Sequence, residues 1–189
     1  MATTSNISGS TRDRIVEIAT ELFLTRGYVE SPLSAIAAEA GITKASLYYH
    51  FPSKDSLLMA IVEPLLQRID VFLGETPARY DEFEDRWRFV MTYGALLQSD
   101  RRVITLLSKR SWEFDDNGLD ERFRQHIERA IELATPPGAD AETRVRVMLG
   151  MDILQREFTY AHDRIPLADV DDQSRQEVAV DVIRGLLQS

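Results

Sequence analysis

The chain has 189 residues, of which 44% are hydrophobic and none is cysteine, and its formal net charge is −9. This length allows a buried core in one domain or two small ones, while the lack of cysteine excludes disulfides, thiolate metal sites and a cysteine nucleophile. Residues 1–60 hold five basic and six acidic side chains, so −8 of the charge lies in residues 61–189. We expect this acidic part to face away from any polyanionic partner.

The first helix is predicted from its capping residues. Residues 1–9 are polar, and we expect a disordered tail there rather than a signal peptide. Ser10 and Asp13 have the spacing of a capping box. The apolar residues that follow repeat as they do along one face of a helix, and Gly27 is placed to end that helix.

Residues 31–51 predict two very short helices separated by Gly41. Ser31 is expected to cap the first helix, which is followed by apolar residues at positions i, i+3, i+4 and i+7. The glycine supplies the left-handed turn, Thr43 can cap again, and the second helix starts at Lys44. This pattern is typical of a helix-turn-helix, in which the second helix enters the major groove of DNA.

A further helix is predicted from Ser53 through Ile61 towards Gly74. Pro64 lies within it and removes one backbone hydrogen bond, so we expect a kink or a break there. Two interpretations stay open: one helix ends and the next begins, or Pro64 forms a hinge between the two halves of the protein.

The remainder of the chain predicts helices only, since it shows no strand-like alternation and no repeat. The predicted helices cover residues 83–97, 100–112, 119–133, 141–162 and 172–188, separated by segments rich in Pro, Gly, Asp or Asn.

The run from Arg12 to Leu58 resembles the DNA-binding domain of the TetR (tetracycline-repressor) family of bacterial regulators. The matching pieces are Ile15 to Tyr28, Ile36 to Ile42, Ser46 to Asp55, and Leu57-Leu58. Many elements in the same order make this resemblance specific, and it covers about the first third of the chain. Ser31-Pro32 and Ala45 depart from the family pattern, which usually has a Thr pair and a Gly at these places.

The resemblance implies an all-α fold with a three-helix helix-turn-helix domain at residues 10–57 and a helical domain for ligand binding and dimerisation at 58–189. It implies a ligand-responsive transcriptional regulator, most simply a repressor, that binds a palindromic operator in double-stranded DNA as a homodimer and is released by a small, largely apolar effector. We expect a cytoplasmic bacterial protein that joins the nucleoid when bound to DNA. The alternative is a helical interaction or carrier protein that keeps a relic helix-turn-helix and does not bind DNA.

The predicted DNA contacts share hydroxyl, ammonium or ring donors and lie in or near the second short helix. They are Ser31, Thr43, Lys44, Ser46, Tyr48, Tyr49, His50 and Lys54. The resemblance assigns base reading mainly to Lys44 and its neighbours, and phosphate contact to Tyr49, His50 and Lys54. The alternative is that the aromatic residues only cover the apolar seam of a small domain.

Two further sets of residues are predicted in the C-terminal part. Aromatic, methionine and polar residues indicate a ligand pocket between helices. The alternative is that they form ordinary core. The predicted pocket residues are Trp87, Met91, Tyr93, Trp112, Phe123, Met148, Asp152 and Gln155. Apolar residues of the last two long helices indicate a dimer interface. The alternative is again that they form intrachain core. The predicted interface residues are Phe158, Val178, Val182, Ile183 and Leu186.

Catalytic and metal sites are not predicted. His126 and His162 have no second histidine at ligand spacing, and the chain has no Gly-rich phosphate loop or nucleophile elbow. We therefore expect no enzyme activity, no metal or other cofactor, and no association with a membrane.

Overall fold

A computed structural model of the chain describes residues 10–108, 118–159 and 170–188, and the regular structure within these ranges is entirely helical. This confirms the predicted all-α fold. The predicted tail at residues 1–9 lies outside the described residues. The chain divides into two compact units after Pro64, whereas the predicted domain boundary falls earlier, after residue 57.

The first unit contains α1 (Thr11–Thr25), α2 (Leu33–Glu39), α3 (Lys44–His50) and the first part of α4 (Lys54–Gly74). The predicted capping box at α1 is confirmed, because the Asp13 N–H donates to Ser10 Oγ and the Ser10 N–H donates to Asp13 Oδ2. The core of this unit is formed by fully buried apolar side chains: Ile15, Ala19, Phe23, Ile36, Leu47, Leu57 and Leu58.

The turn between α2 and α3 depends on Gly41, whose φ of +65° is strained for residues with a side chain. The Gly41 N–H donates to the carbonyl of Ala38, and the Ile42 N–H donates to the carbonyl of Ala37. These two bonds form a Schellman motif, which satisfies the last carbonyls of α2. Thr43 then caps α3 as predicted, since its Oγ1 accepts the Ser46 N–H at 3.1 Å.

Ser31 does not cap α2, so that prediction is wrong. The N-cap position is Pro32, and no side chain caps this end of the helix. The Ser31 hydroxyl instead donates to the carbonyl of Gly27 at 2.7 Å and lies 3.2 Å from that of Leu22. Ser31 is completely buried, and its hydroxyl is satisfied by carbonyls in the last turn of α1 and just after it.

Helix α4 begins as predicted, with Ser53 Oγ accepting the Ser56 N–H at 3.0 Å. It then runs through Pro64 as one α-helix. The interpretation in which one helix ends at the proline and another begins is therefore wrong. Beyond the proline, α4 belongs to the second unit and buries four apolar side chains there: Leu65, Leu66, Ile69 and Leu73.

The other helices of the second unit are α5 (Phe83–Ser99), α6 (Arg101–Ser108), α7 (Leu119–Ala134), α8 (Ala141–Thr159) and α9 (Asp172–Gln188). They agree closely with the predicted helices, although the predicted ends at 112 and 162 lie outside the described residues. None of the helices in the described ranges has the length and apolar character needed to cross a membrane.

Helix α8 packs against both α5 and α9, and glycines allow the close approach. A Cβ added at Gly150 of α8 would lie 2.6 Å from Leu187 Cδ1 of α9, and one added at Gly94 of α5 would lie 2.9 Å from Leu154 Cδ1 of α8. Both distances are shorter than carbon atoms tolerate. The absence of a side chain at these positions therefore sets the spacing of the three helices.

Candidate nucleic-acid interface and ligand cleft

Helix α3 has one buried face and one exposed face. Leu47 is completely buried and anchors the helix to the core, and Phe51, just after the helix, is 2% exposed. On the other side Tyr48 is 43% exposed and Tyr49 is 85% exposed. Both rings lie on the side of α3 away from the core, so this side of the helix is accessible to a partner.

The other predicted contacts on α3 are also accessible. Thr43 and Lys44 are exposed, while Ser46 and His50 are half-buried. The Lys44 ammonium lies 5.7 Å from the centre of the Tyr48 ring, which is within the range of a cation–π interaction. This surface offers an ammonium group that can read guanine and hydroxyls that can bind phosphate.

Two of the predicted contacts have structural roles in the first unit. Ser31 is buried with its hydroxyl bound to α1, so it is not presented to a partner. The ammonium of Lys54 donates to the carbonyl oxygen of Val29 at 3.1 Å and lies 4.3 Å from the centre of the Tyr28 ring. The Tyr28 hydroxyl in turn donates to the Asp55 carboxylate.

Two arginines near the start of α1 lie close to the two ends of α3, and the sequence analysis did not select them. The Arg12 guanidinium lies 5.0 Å from the centre of the Phe51 ring, just after α3. The Arg14 guanidinium would lie 3.8 Å from a Cβ on Gly41, just before α3. Both arginines are exposed. Their spacing of two residues in the sequence did not indicate a DNA contact, because the two arginines come close to α3 only in the folded chain.

Comparison with known proteins relates this unit to bacterial regulators. Residues 15–61 match the family model described as bacterial regulatory proteins, tetR family. The regulator SrpR of Pseudomonas putida is 28% identical over 160 residues, which cover 75% of this chain and 71% of that protein. The regulator EthR of Mycolicibacterium smegmatis is 34% identical over 64 residues, which cover 33% of this chain and 30% of that protein.

Solved structures resemble the chain over nearly its whole length. A TetR-family member from Streptomyces coelicolor A3 has a TM-score of 0.69 at 24% identity, covering 98% of this chain and 93% of that one. The ketosteroid regulator KstR2 of Mycobacterium tuberculosis has a TM-score of 0.61 at 19% identity, covering 97% and 98%. At such identities the likeness shows the fold alone.

These comparisons support a transcriptional regulator of the TetR family, whose family model matches residues 15–61. The relatives of this chain are regulators and not enzymes, which agrees with the absence of a catalytic motif in the sequence. The second unit of the regulator differs from the first in offering a cleft and an exposed apolar face.

The cleft of the regulator lies between α5, α7 and α8. Its lining is Tyr93, Leu97, Phe123, Ile127, Ala130, Ile131, Met151, Asp152, Leu154 and Gln155. Four of the eight predicted pocket residues are thus brought together: Tyr93, Phe123, Asp152 and Gln155. The cavity measures about 20 Å³, enough for a single water molecule. Burial raises the pKa of the Tyr93 hydroxyl, which therefore stays neutral.

Three of the other predicted pocket residues do not line this cleft. Trp87 and Met91 lie along an open groove on another face of α5, where the Arg184 guanidinium stacks 5.2 Å from the centre of the Trp87 ring. Met148 is 42% exposed on α8, and Trp112 lies outside the described residues. Aromatic content alone did not reveal which face of α5 points into the unit.

The exposed apolar face of the regulator is formed by α8 and α9. Val178 and Val182 of α9 are 64% and 47% exposed, and α8 adds three more exposed apolar side chains: Val145, Met148 and Leu149. These residues leave a row of apolar groups in contact with solvent, which a single folded chain does not need.

Ile183 does not belong to that face, which corrects the prediction for this residue. It is completely buried, and it and Leu186 each lie 3.7 Å from a Cβ added at Gly150. The row Ala179, Ile183 and Leu187 of α9 packs within its own chain. The 3.6-residue period of the sequence does not predict which of two apolar rows is buried in this way. The side chain of Phe158 lies outside the described residues.

Proposed function

We propose that this regulator is a repressor that binds a palindromic operator as a homodimer and is released by a small, largely apolar effector. The observation that supports the proposal most directly is the exposure of Lys44, Tyr48 and Tyr49 on one side of α3, opposite the buried Leu47. Its site of action is then the nucleoid, in the cytoplasm of a bacterium.

We propose that different residues of α3 contact different parts of the DNA. Lys44, in the first turn, reads a base edge in the major groove, while Tyr49 and His50 bind phosphate groups. Arg12 and Arg14, near the two ends of α3, add phosphate contacts on either side. Lys54 adds a phosphate contact from the start of α4, and Thr43, Ser46 and Tyr48 complete the contact surface. Ser31 is left out because it is buried.

Dimerisation is proposed through the exposed face of α8 and α9. Two helices from each chain form a four-helix interface about a two-fold axis, in which identical residues meet. Val178 and Val182 are its central apolar groups on α9. A dimer of this kind presents two copies of α3 to two half-sites, and a palindromic operator has the matching symmetry.

Release is proposed to follow from filling the cleft between α5, α7 and α8. The cavity is too small for an effector as it stands, so binding must move the side chains or the helices that line it. A coupling of about 1–3 kcal/mol lowers operator affinity roughly 5–150-fold, and operator must weaken effector binding by the same factor. Helix α4 takes part in both units and is the covalent route between them.

Fluorescence anisotropy with DNA fragments that flank the gene tests the proposal. We expect one fragment to bind far more tightly than random DNA of equal length, and a footprint with two-fold symmetry. Binding that is equally strong on random DNA and is lost with modest salt would favour the alternative, a helical interaction or carrier protein with a relic helix-turn-helix.

A further inference from the structure

We propose that the cleft between α5, α7 and α8 binds organic cations, that is, molecules with an aromatic or aliphatic body and one positively charged group. This inference rests on the proposed function of the cleft as the effector site and names the chemical class of the effector.

The lining of the cleft determines which ligand bodies fit. Seven of the ten lining side chains are apolar, and the two neutral polar ones are Tyr93 and Gln155. Phe123 and Tyr93 supply aromatic rings, and Met151 supplies a flexible, polarisable thioether. Such a surface binds apolar and aromatic groups, and it gains free energy when they leave water.

Asp152 is the only charged side chain among the described residues that line the cleft. It lies exposed on α8, where its carboxylate reaches solvent. No described residue forms an ion pair or a hydrogen bond with this carboxylate, and Arg156, one turn further along the same helix, does not pair with it. Among the described residues, the lining of the cleft thus includes one carboxylate that no cation pairs with.

The charge of the ligand follows from this arrangement. An anionic ligand would approach the Asp152 carboxylate as a like charge, and a neutral ligand would displace water from it without replacing the lost interaction. A cation instead pairs with the carboxylate while its apolar body fills the cleft.

Because the cavity holds about 20 Å³, a ligand larger than water enters only when the lining moves. Met151 has three rotatable side-chain bonds and is the lining residue best suited to make room. The measured affinity includes the cost of this opening. To measure the effect of ligand charge on affinity, the ligands compared must therefore have the same size and shape.

Three probes meet this condition, each with eleven non-hydrogen atoms around a benzyl group: benzyltrimethylammonium, the neutral 2-methyl-1-phenylpropan-2-ol, and phenylmethanesulfonate. Each is titrated into the full chain without DNA while the methionine methyl signals are followed by NMR, with Met151 assigned from Met151→Leu. We expect the cation to bind on the order of three- to tenfold more tightly than the alcohol, and the sulfonate to bind most weakly.

Asp152→Asn should reduce the affinity for the cation to that for the alcohol. Glu75→Gln is the matched control, because it removes one exposed carboxylate that does not line the cleft, and it should leave the preference unchanged. Equal affinities for the three probes, no binding of the cation, or a cation preference that survives in Asp152→Asn would each overturn the proposal.

Operator titrations with the same probes separate this inference from the proposed function. If the alcohol binds as well as the cation and still lowers operator affinity, the cation preference is wrong and the effector site stands. If the cation binds with the expected preference and operator affinity does not change, the cleft is a cation site and its effector role is wrong.

Discussion

The ammonium group of Lys54 donates a hydrogen bond to the backbone carbonyl of Val29, with 3.1 Å between nitrogen and oxygen. It also lies 4.3 Å from the centre of the Tyr28 ring. Lys54 therefore fastens the start of α4 to the segment that joins α1 and α2, in addition to carrying a charge that suits phosphate.

From this contact we predict that Lys54→Ala destabilises the first unit by about 1–2 kcal/mol, because it removes a charge-assisted hydrogen bond and a cation–π contact. It should also weaken binding to all DNA sequences and flatten the salt dependence by about one charge. Hydrogen exchange of amides in residues 15–61 measures the first effect. Unchanged amide exchange together with weaker DNA binding would show that Lys54 contributes to DNA binding and not to the stability of the first unit.

Lys44→Ala is the contrasting change, since Lys44 is exposed on α3 and lies over the ring of Tyr48 in the same helix. We expect amide exchange to stay as in the wild type, operator affinity to fall by about 1–3 kcal/mol, and preference at one base position to relax. Anisotropy titrations with operator variants measure this. Equal losses on operator and on random DNA would contradict a role in base reading.

The helix-turn-helix could be predicted closely because local chemistry determines it. The capping box at Ser10, the left-handed Gly41 and the cap at Thr43 each act within three or four residues. The predictions that were wrong or incomplete depend on packing between distant segments. The Ser31 hydroxyl finds its acceptors in the last turn of α1 and just after it. Arg12 and Arg14 come close to α3 only in the folded chain. In the second unit the period of α9 indicated apolar rows, but which row faces inward depends on how α9 packs against α8, where Ile183 lies close to Gly150.

Val182→Glu tests the proposed dimer interface without touching the core, because Val182 is 47% exposed within the chain. Burying an unpaired carboxylate at an apolar interface costs several kcal/mol, so we expect a folded monomer with reduced operator affinity. Light scattering after gel filtration and circular dichroism measure mass and folding. Ile183→Glu is the matched control and should unfold the second unit. A dimeric Val182→Glu protein would place the interface elsewhere.

Gly150→Val should lower the free energy of unfolding by about 1–3 kcal/mol through overpacking, because the added atoms meet the buried side chains of Leu187 and Ile183. The same change at Gly185, which has no atom within 4 Å of an added Cβ, should alter the free energy by less than about 0.5 kcal/mol. Urea unfolding at one protein concentration compares the two variants. Similar losses in both would show that α8 and α9 adjust their spacing.

Asp70 of α4 should make the second unit sensitive to acid. Partial burial raises its pKa, but hydrogen bonds from Arg122 and from His126, whose Nε2 is 2.6 Å from Oδ1, together with their charges, bring the pKa below the ordinary value of 3.8. A depressed carboxyl pKa stabilises the fold above the unfolded-state value, and this stabilisation is lost as the pH falls through the folded-state value.

We therefore expect the melting temperature of the wild type to fall as the pH is lowered from about 5 to about 3, and that of Asp70→Asn to fall less steeply. Differential scanning calorimetry across this range measures both. Parallel curves for the two proteins would mean that Asp70 contributes nothing to the acid response. Its side chain is 45% exposed, so solvent screening keeps the difference small.

The separation of the two apolar rows of α9 allows the regulator to be re-engineered. Val178 and Val182 can be replaced while Ala179, Ile183 and Leu187 keep the chain folded. In the proposed homodimer, one copy of the gene with lysines at the two valine positions and a second copy with glutamates would then encode subunits that repel their own kind and combine with each other. If each copy carried its own version of α3, the mixed pair would recognise an operator whose two halves differ in sequence.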